Sequence, residues 1–245
     1  MKYLKSLLYT ICLTFFIVHV PSVHRHMLRN YVASKSVTVT FTDGRWGGGS
    51  GVHVKLPHGG NAILTNAHVC AIKDEHNEVL IGSESLEKPI PRRVIEVANY
   101  TDLCLIEGLP GVTGLSLGGD LYAGDIVNVI GHPLLQPITM TSGEVTSEGP
   151  VDIADYIIDT PEEEAKCNLP KNKILTFKSI FGNIEVCAIH LEAVQSTAQI
   201  FPGNSGSGVV DSRGRLVGVA FASSEETHWG MLITLEDIRH FLYPY

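Results

Sequence analysis

Several signatures that would settle a sequence quickly are missing from this one. No basic run occurs, and no basic patch is interleaved with aromatics. The formal net charge is −8, from 18 Lys and Arg against 26 Asp and Glu. Nucleic acid is therefore not an expected partner. His53, His58, His76, His132, His190, His228 and His240 never fall at a metal-ligand spacing such as H-E-x-x-H. That argues against a zinc enzyme, and no metal or organic cofactor is implied. The five cysteines include no C-x-x-C pair, which removes a thioredoxin-type redox motif. Low-complexity tracts and repeats of solenoid period are also absent. No apolar run reaches the roughly 20 residues of a spanning helix.

The longest apolar run lies at the start. Lys2 and Lys5 precede a mostly apolar stretch from Leu7 to Val20, and Pro21 follows. The pattern reads as a secretory signal or a short signal anchor over residues 1–30, with 24–35 as a tether. No small-x-small cleavage site follows, which favours an uncleaved anchor. Arg25 and Arg29 match the lysines on the other side, so charge orients the segment only weakly. The expected location is outside the cytoplasm: secreted, periplasmic, or membrane-anchored and facing outward.

From Val37 the hydrophobic period becomes that of strands. Val37 to Phe41 alternates, and Val52 to Leu56, Ala62 to Leu64, Glu78 to Ile81, Arg93 to Ala98 and Leu103 to Ile106 follow. Leu109 to Asp120, rich in glycine and proline, is the expected connection between two halves. The second half carries strands at 125–130, 138–148, 208–210, 216–222 and 229–233. Short strands at this spacing predict antiparallel barrels. Thr234-Leu235-Glu236-Asp237 reads as a capping box opening a short terminal helix to about Leu242.

Chemistry concentrates at Phe201-Pro202-Gly203-Asn204-Ser205-Gly206-Ser207-Gly208. A nucleophilic serine needs an exposed oxygen and N–H groups aimed where an oxyanion forms, and Gly203 and Ser205 are the candidate donors. A plain Gly/Ser turn between strands is the alternative. Two further stretches bear on the choice. His68 lies in Thr65-Asn66-Ala67-His68-Val69-Cys70, and Asp102 opens the apolar strand Leu103 to Ile106. Serine is a weak nucleophile until a base takes its proton, and the base works best when a buried acid fixes its tautomer. His68, Asp102 and Ser205 supply those groups in that order.

These three stretches resemble the trypsin-like serine peptidases, most closely the HtrA-like branch, where TNAHV, a D-L-[AC]-L-I-type strand and PGNSG occur in this order. The resemblance extends to Val129-Ile130-Gly131-His132-Pro133, Thr141-Ser142-Gly143-Glu144-Val145 and Val194-Gln195-Ser196-Thr197-Ala198, and runs from about Val37 to about Leu242. It implies an all-β fold of two antiparallel barrels, about 36–115 and 120–245, within a peptidase domain of 31–245. The active site lies between the barrels and a short helix closes the chain. The implied activity is hydrolysis of peptide bonds in peptides or unfolded proteins through an acyl-enzyme. A non-catalytic binding module, and an esterase using the same groups, are the alternatives. By resemblance, Gln199, Ile200, Phe201, Ala220, Phe221, Ala222 and Ser223, with Gly230 and Met231, line the primary pocket. No acid falls at its base, so a small or medium apolar residue is the expected preference. Asn204 stands where digestive trypsins have an aspartate that captures a freed N-terminus, so activation by clipping is not expected. No PDZ domain of the kind many HtrA-like chains carry is expected after the terminal helix.

The resemblance is interrupted between about 151 and 190. An acidic run, Asp159 to Glu164, precedes Cys167, and Cys187 closes the segment. The insertion is either a hairpin arm or a surface loop near the substrate cleft, with a solvated loop without function as the plain alternative. Cys167 and Cys187 bracket it, and a disulfide there would stabilise it in an oxidising compartment. Cys70 and Cys104 each lie two residues after a candidate catalytic residue. They either pair or remain buried thiols, and the sequence leaves both open.

Overall fold

The computed structural model describes residues 21–45, 47–98, 101–167, 172–179, 182–223 and 229–245. The apolar leader and Cys12 lie outside them. Among the described residues no helix is long and apolar enough to cross a membrane.

The chain opens with a helix, α1, over 21–33. Six strands then form a closed antiparallel barrel: β1 (Ser36–Thr40), β2 (Gly48–Lys55), β3 (Asn61–Thr65), β4 (Glu78–Gly82), β5 (Ile90–Ala98) and β6 (Leu103–Glu107). A four-residue helix, α2 (Ala67–Cys70), follows β3. The strand alternation explains the barrel's filling. Val37 and Val39 point inward to meet Ile63, Val79, Ile81, Cys104 and Ile106, all fully buried, while the alternate Leu103 and Leu105 face the second half of the molecule.

The second barrel is built from β7 (Ile126–Gly131), β8 (Thr139–Ile157), β10 (Gly182–Gln199), β13 (Trp229–Ile233), β12 (Leu216–Ser223) and β11 (Gly208–Val210), closed by pairing of β13 with β10. Val127, Val129, Val194, Val209, Val217, Ala220 and Leu232 fill its interior. A third cluster lies between the barrels, where Val52, Val54, Leu64, Leu103 and Leu105 meet Ile130, Val210, Leu216, Val219 and Ile233. A site made at this seam therefore rests on two closed, close-packed supports. The terminal helix α4 (Leu235–Leu242) starts at Thr234, whose hydroxyl accepts the Asp237 N–H at 3.1 Å. Asp237 does not reach back to the Thr234 N–H as a full capping box would. Its carboxylate accepts the Thr234 hydroxyl instead.

One expectation changes here, and one open alternative is decided. The stretch 24–35, read from the sequence as a tether, is helical to residue 33 and docks on the second barrel. Leu28, Val32 and Ala33 are buried in the inter-barrel cluster. Burying Leu28 and Val32 contributes about 1.5–3 kcal/mol each. Of the readings left open for 151–190, the hairpin arm is the one that forms. β8 and β10 run past the barrel wall as a paired extension, α3 (Pro161–Cys167) crosses its end, and β9 (Asn172–Ser179) adds a third strand to β10. Cys167 and Cys187 are disulfide-bonded and tie α3 to β10. Across the arm, Asp152 on β8 accepts from His190 on β10 at 2.6 Å and from Lys173 on β9 at 2.9 Å. These partners, His190 first, hold its carboxyl below the usual carboxylate range.

Candidate active site

His68 and Asp102 are brought together by barrel one. Asp102 opens β6 with a left-handed backbone, φ +51, and its side chain is buried. Such a conformation costs a non-glycine residue about 1–2 kcal/mol and needs outside support. Two donors hold the Asp102 carbonyl, the Ala67 N–H and the Asn66 side-chain amide, each at 3.0 Å. In that pose the carboxylate accepts the His68 backbone N–H at 3.0 Å and meets His68 Nδ1 at 2.9 Å. A carboxylate only accepts, so Nδ1 carries the imidazole proton and Nε2 is left as the acceptor. Cys70 and Cys104 are disulfide-bonded, which resolves the two readings left open for them. The bond joins α2, which carries His68, to β6, which follows Asp102.

Ser205 comes from barrel two. Phe201, Pro202, Gly203 and Asn204 make a turn closed by the Asn204 N–H on the Phe201 carbonyl at 2.9 Å. Proline second and glycine third, with Gly203 at φ +90, is the pattern of a type II turn. Leu134 donates its N–H to the Pro202 carbonyl at 2.7 Å. The Pro202 carbonyl and the Gly203 N–H belong to one planar trans peptide and point opposite ways, so this bond also fixes the direction of the Gly203 N–H. Among the described residues neither the Gly203 nor the Ser205 N–H is hydrogen-bonded. At Gly206, φ is +84 and a Cβ would stand 2.0 Å from the Ser50 carbonyl oxygen, so only glycine passes the first barrel there.

The two halves interlock at Ser50 on β2. Its N–H donates to the Ser205 carbonyl at 2.7 Å and its hydroxyl to the Gly203 carbonyl at 2.8 Å, and that hydroxyl accepts the His132 N–H at 2.9 Å. The Thr65 hydroxyl in turn donates to the Ser50 carbonyl at 2.6 Å. Ser205 Oγ donates to the Phe221 carbonyl at 3.5 Å, a long contact, and among the described residues it makes no hydrogen bond to His68. Phe221 is the extra residue of a β-bulge between Ala220 and Ala222, a device that re-aims a strand beside a site.

The expected pocket residues divide. Ile200 and Ala220 are buried together in the barrel-two cluster, and a Cβ on Gly230 would meet Ile200 Cδ1 at 2.5 Å. Phe221 points the other way, into the inter-barrel cluster. Met231 packs against that cluster too. Gln199 is exposed, Phe201 forms an exposed apolar rim, Ala222 is half-buried and Ser223 exposed. Asn66, Ser50 and Leu134 were missed as functional positions. Only Asn66 left a signal, as a cap-type residue before α2 whose side chain makes no cap.

His53 and His132 are structural. His53 Nδ1 lies 2.9 Å from the Lys35 carbonyl and its Nε2 accepts the Leu109 N–H at 3.1 Å, so the buried ring is satisfied while neutral. Burial pushes its pKa down, as it does for His132, whose Nδ1 meets the Gln136 carbonyl at 3.1 Å. Among the described residues no three His, Cys, Asp or Glu side chains converge as a metal site.

Two barrels with acid and base on one and a serine turn on the other define a trypsin-like architecture. The chain belongs to the family of the trypsin-like peptidase domain, whose model matches residues 49–219. Among curated proteins it is similar to putative protease Do-like 13 of Arabidopsis thaliana, 28% identical over 190 residues, covering 75% of this chain and 32% of that protein. It is also similar to a serine protease HtrA-like of Staphylococcus epidermidis, 26% identical, covering 70% of this chain and 26% of that one. The chain thus spans about a third or less of these relatives. Among solved structures, the active form of the Rv3671c protease from M. tuberculosis superposes with a TM-score of 0.67 at 17% identity, over 91% of this chain and 86% of that one. The HtrA-type protease AlgW with a tripeptide gives 0.63 at 21%, over 88% and 61%. At these identities the structural likenesses speak to fold.

Proposed function

We propose that the chain is a serine endopeptidase in which Ser205 attacks, His68 moves the proton and Asp102 orients the base. The observation that carries this reading is the His68–Asp102 pair at 2.9 Å facing a serine turn with two unengaged N–H groups. In the reaction, Ser205 Oγ leaves the Phe221 carbonyl and gives its proton to His68 Nε2 as it bonds to the substrate carbonyl carbon. The resulting oxyanion takes the Gly203 and Ser205 N–H groups, each on the order of 3 kcal/mol. His68 then passes the proton to the leaving amine, and water repeats the sequence on the acyl-enzyme.

Ala222 and Ser223 of β12 pair only with β13 among the described residues, because β11 reaches no further than Gly208 opposite Val219. A peptide substrate adds to this free edge as a short strand. Ile200 Cδ1 occupies the space over Gly230, which favours a small apolar side chain in the substrate. Two disulfides and the apolar leader support work outside the cytoplasm, in processing or quality control of proteins. The test is reaction with a fluorophosphonate, with the adduct located by mass spectrometry. An adduct on Ser205 that is lost in His68→Ala supports the reading. Folded protein that stays unlabelled points to a binding module.

A further inference from the structure

The loop behind the serine turn is held in a shape its residues do not favour. Leu134 and Leu135 are consecutive non-glycine residues with left-handed backbones, φ +52 and +57. Strain of this kind persists only where neighbours over-determine it. One end of the loop is fixed by the His132 N–H on Ser50 Oγ. The other end is fixed from outside the barrel, where Arg29 of α1 donates Nη2 to the Ile138 carbonyl at 2.9 Å. Four residues further along β8, Arg25 donates to Ser142 Oγ at 2.9 Å. Between the two ends lies the Leu134 N–H that fixes the Pro202–Gly203 peptide. The loop also presses directly on the turn, since a Cβ on Gly203 would stand 2.6 Å from Leu134 N and 2.8 Å from the His132 carbonyl oxygen.

We propose that Arg29 is a positioning residue for the reaction. By holding the Ile138 carbonyl it keeps the 133–138 loop in its left-handed form, and so keeps the Gly203 N–H aimed into the oxyanion site. The inference rests on Ser205 being the nucleophile. It gives α1, which directly follows the apolar leader in sequence, a part in the chemistry. Without Arg29 the loop relaxes toward right-handed backbone angles, the Leu134–Pro202 bond is lost, and the Pro202–Gly203 peptide is free to turn. α1 itself stays docked, because Leu28 and Val32 remain buried and His24 still meets the Ser212 carbonyl at 3.0 Å.

The test measures the rate of Ser205 labelling by a fluorophosphonate in the full 245-residue chain, alongside thermal unfolding. Arg29→Ala slows labelling by about 10- to 100-fold, the scale of a misplaced reacting group, while the folded fraction at the assay temperature is unchanged. Arg29→Lys recovers most of the rate, since an ammonium can still donate to the Ile138 carbonyl. Adding Leu135→Gly to Arg29→Ala also restores it, because glycine keeps a left-handed backbone without help. Labelling of Arg29→Ala at the wild-type rate overturns the proposal. So does a loss that only follows unfolding, or one that Leu135→Gly leaves in place. A wild-type chain that never labels overturns the peptidase reading and this inference with it. Normal wild-type labelling with an indifferent Arg29→Ala overturns the inference alone.

Discussion

The two barrels secure their shares of the site in different ways. In barrel one, His68 and Asp102 sit on elements joined by a disulfide, and the strained Asp102 backbone is gripped by Ala67 and Asn66. Every partner lies within the barrel. In barrel two, Ser205 rides on a turn bonded to Ser50 across the seam and to a left-handed loop behind it, and the far end of that loop is bonded to a helix outside. The Ser205 hydroxyl contacts the Phe221 carbonyl, and among the described residues it makes no hydrogen bond to His68. On the proposed reading, the acid–base pair is thus finished before any substrate arrives, whereas the nucleophile must rotate into place. Groups whose relative position must not vary share one closed scaffold. The group that forms and breaks bonds hangs on contacts that can be adjusted.

Three perturbations sharpen this contrast. Asp102→Asn should have the largest effect. It preserves shape but lets His68 adopt the wrong tautomer, and labelling of Ser205 should fall by about 10⁴ with the melting temperature little changed. Next, Cys70→Ala with Cys104→Ala releases a tie between positions 34 residues apart. Denaturant unfolding should show about 3–4 kcal/mol lost. The labelling rate of the folded protein should fall far less, because Asn66 and Ala67 still hold Asp102. Equal losses in both would mean the disulfide, and not the hydrogen bonds, sets the pair. The smallest effect is on pH. His53 and His132 are held below their ordinary value of 6.5, so just below that pH the unfolded chain carries more protons than the folded one. Stability is full above 6.5 and falls as pH drops through the two lowered values, with a slope of about 1.4 kcal/mol per pH unit for each proton taken up. His53→Gln should flatten that slope in unfolding curves recorded across pH.

Much of this architecture was legible in the sequence, for physical reasons that can be named. Val37 and Val39 alternate with threonines because one face of β1 fills a barrel, and Thr234 marks α4 because a hydroxyl satisfies a free N–H. Three polar residues in fixed order, each beside an apolar strand, located the candidate site because strands are what carry them to the seam. What stayed hidden depends on distant partners. The buried face of α1 amounts to Leu28, Val32 and Ala33 among arginines and histidines, so its pattern reads as a polar tether. Cys70 and Cys104 meet because β6 pairs with β3, a fact of topology. Leu134 and Leu135 give no turn signal, since their left-handed angles are imposed by contacts and not by glycine. The pocket was blurred for a similar reason. Neighbours on a strand face opposite ways, so Ala220 and Phe221 cannot line one wall.

The most direct measurement is a crystal structure of the Ser205 phosphonate adduct. In that adduct the Ser205 side chain should leave the Phe221 carbonyl, the phosphoryl oxygen should accept from the Gly203 and Ser205 N–H groups, and His68 Nδ1 should stay about 2.9 Å from Asp102. An adduct oxygen directed elsewhere, or a His68–Asp102 pair that comes apart when Ser205 moves, would contradict the proposed mechanism.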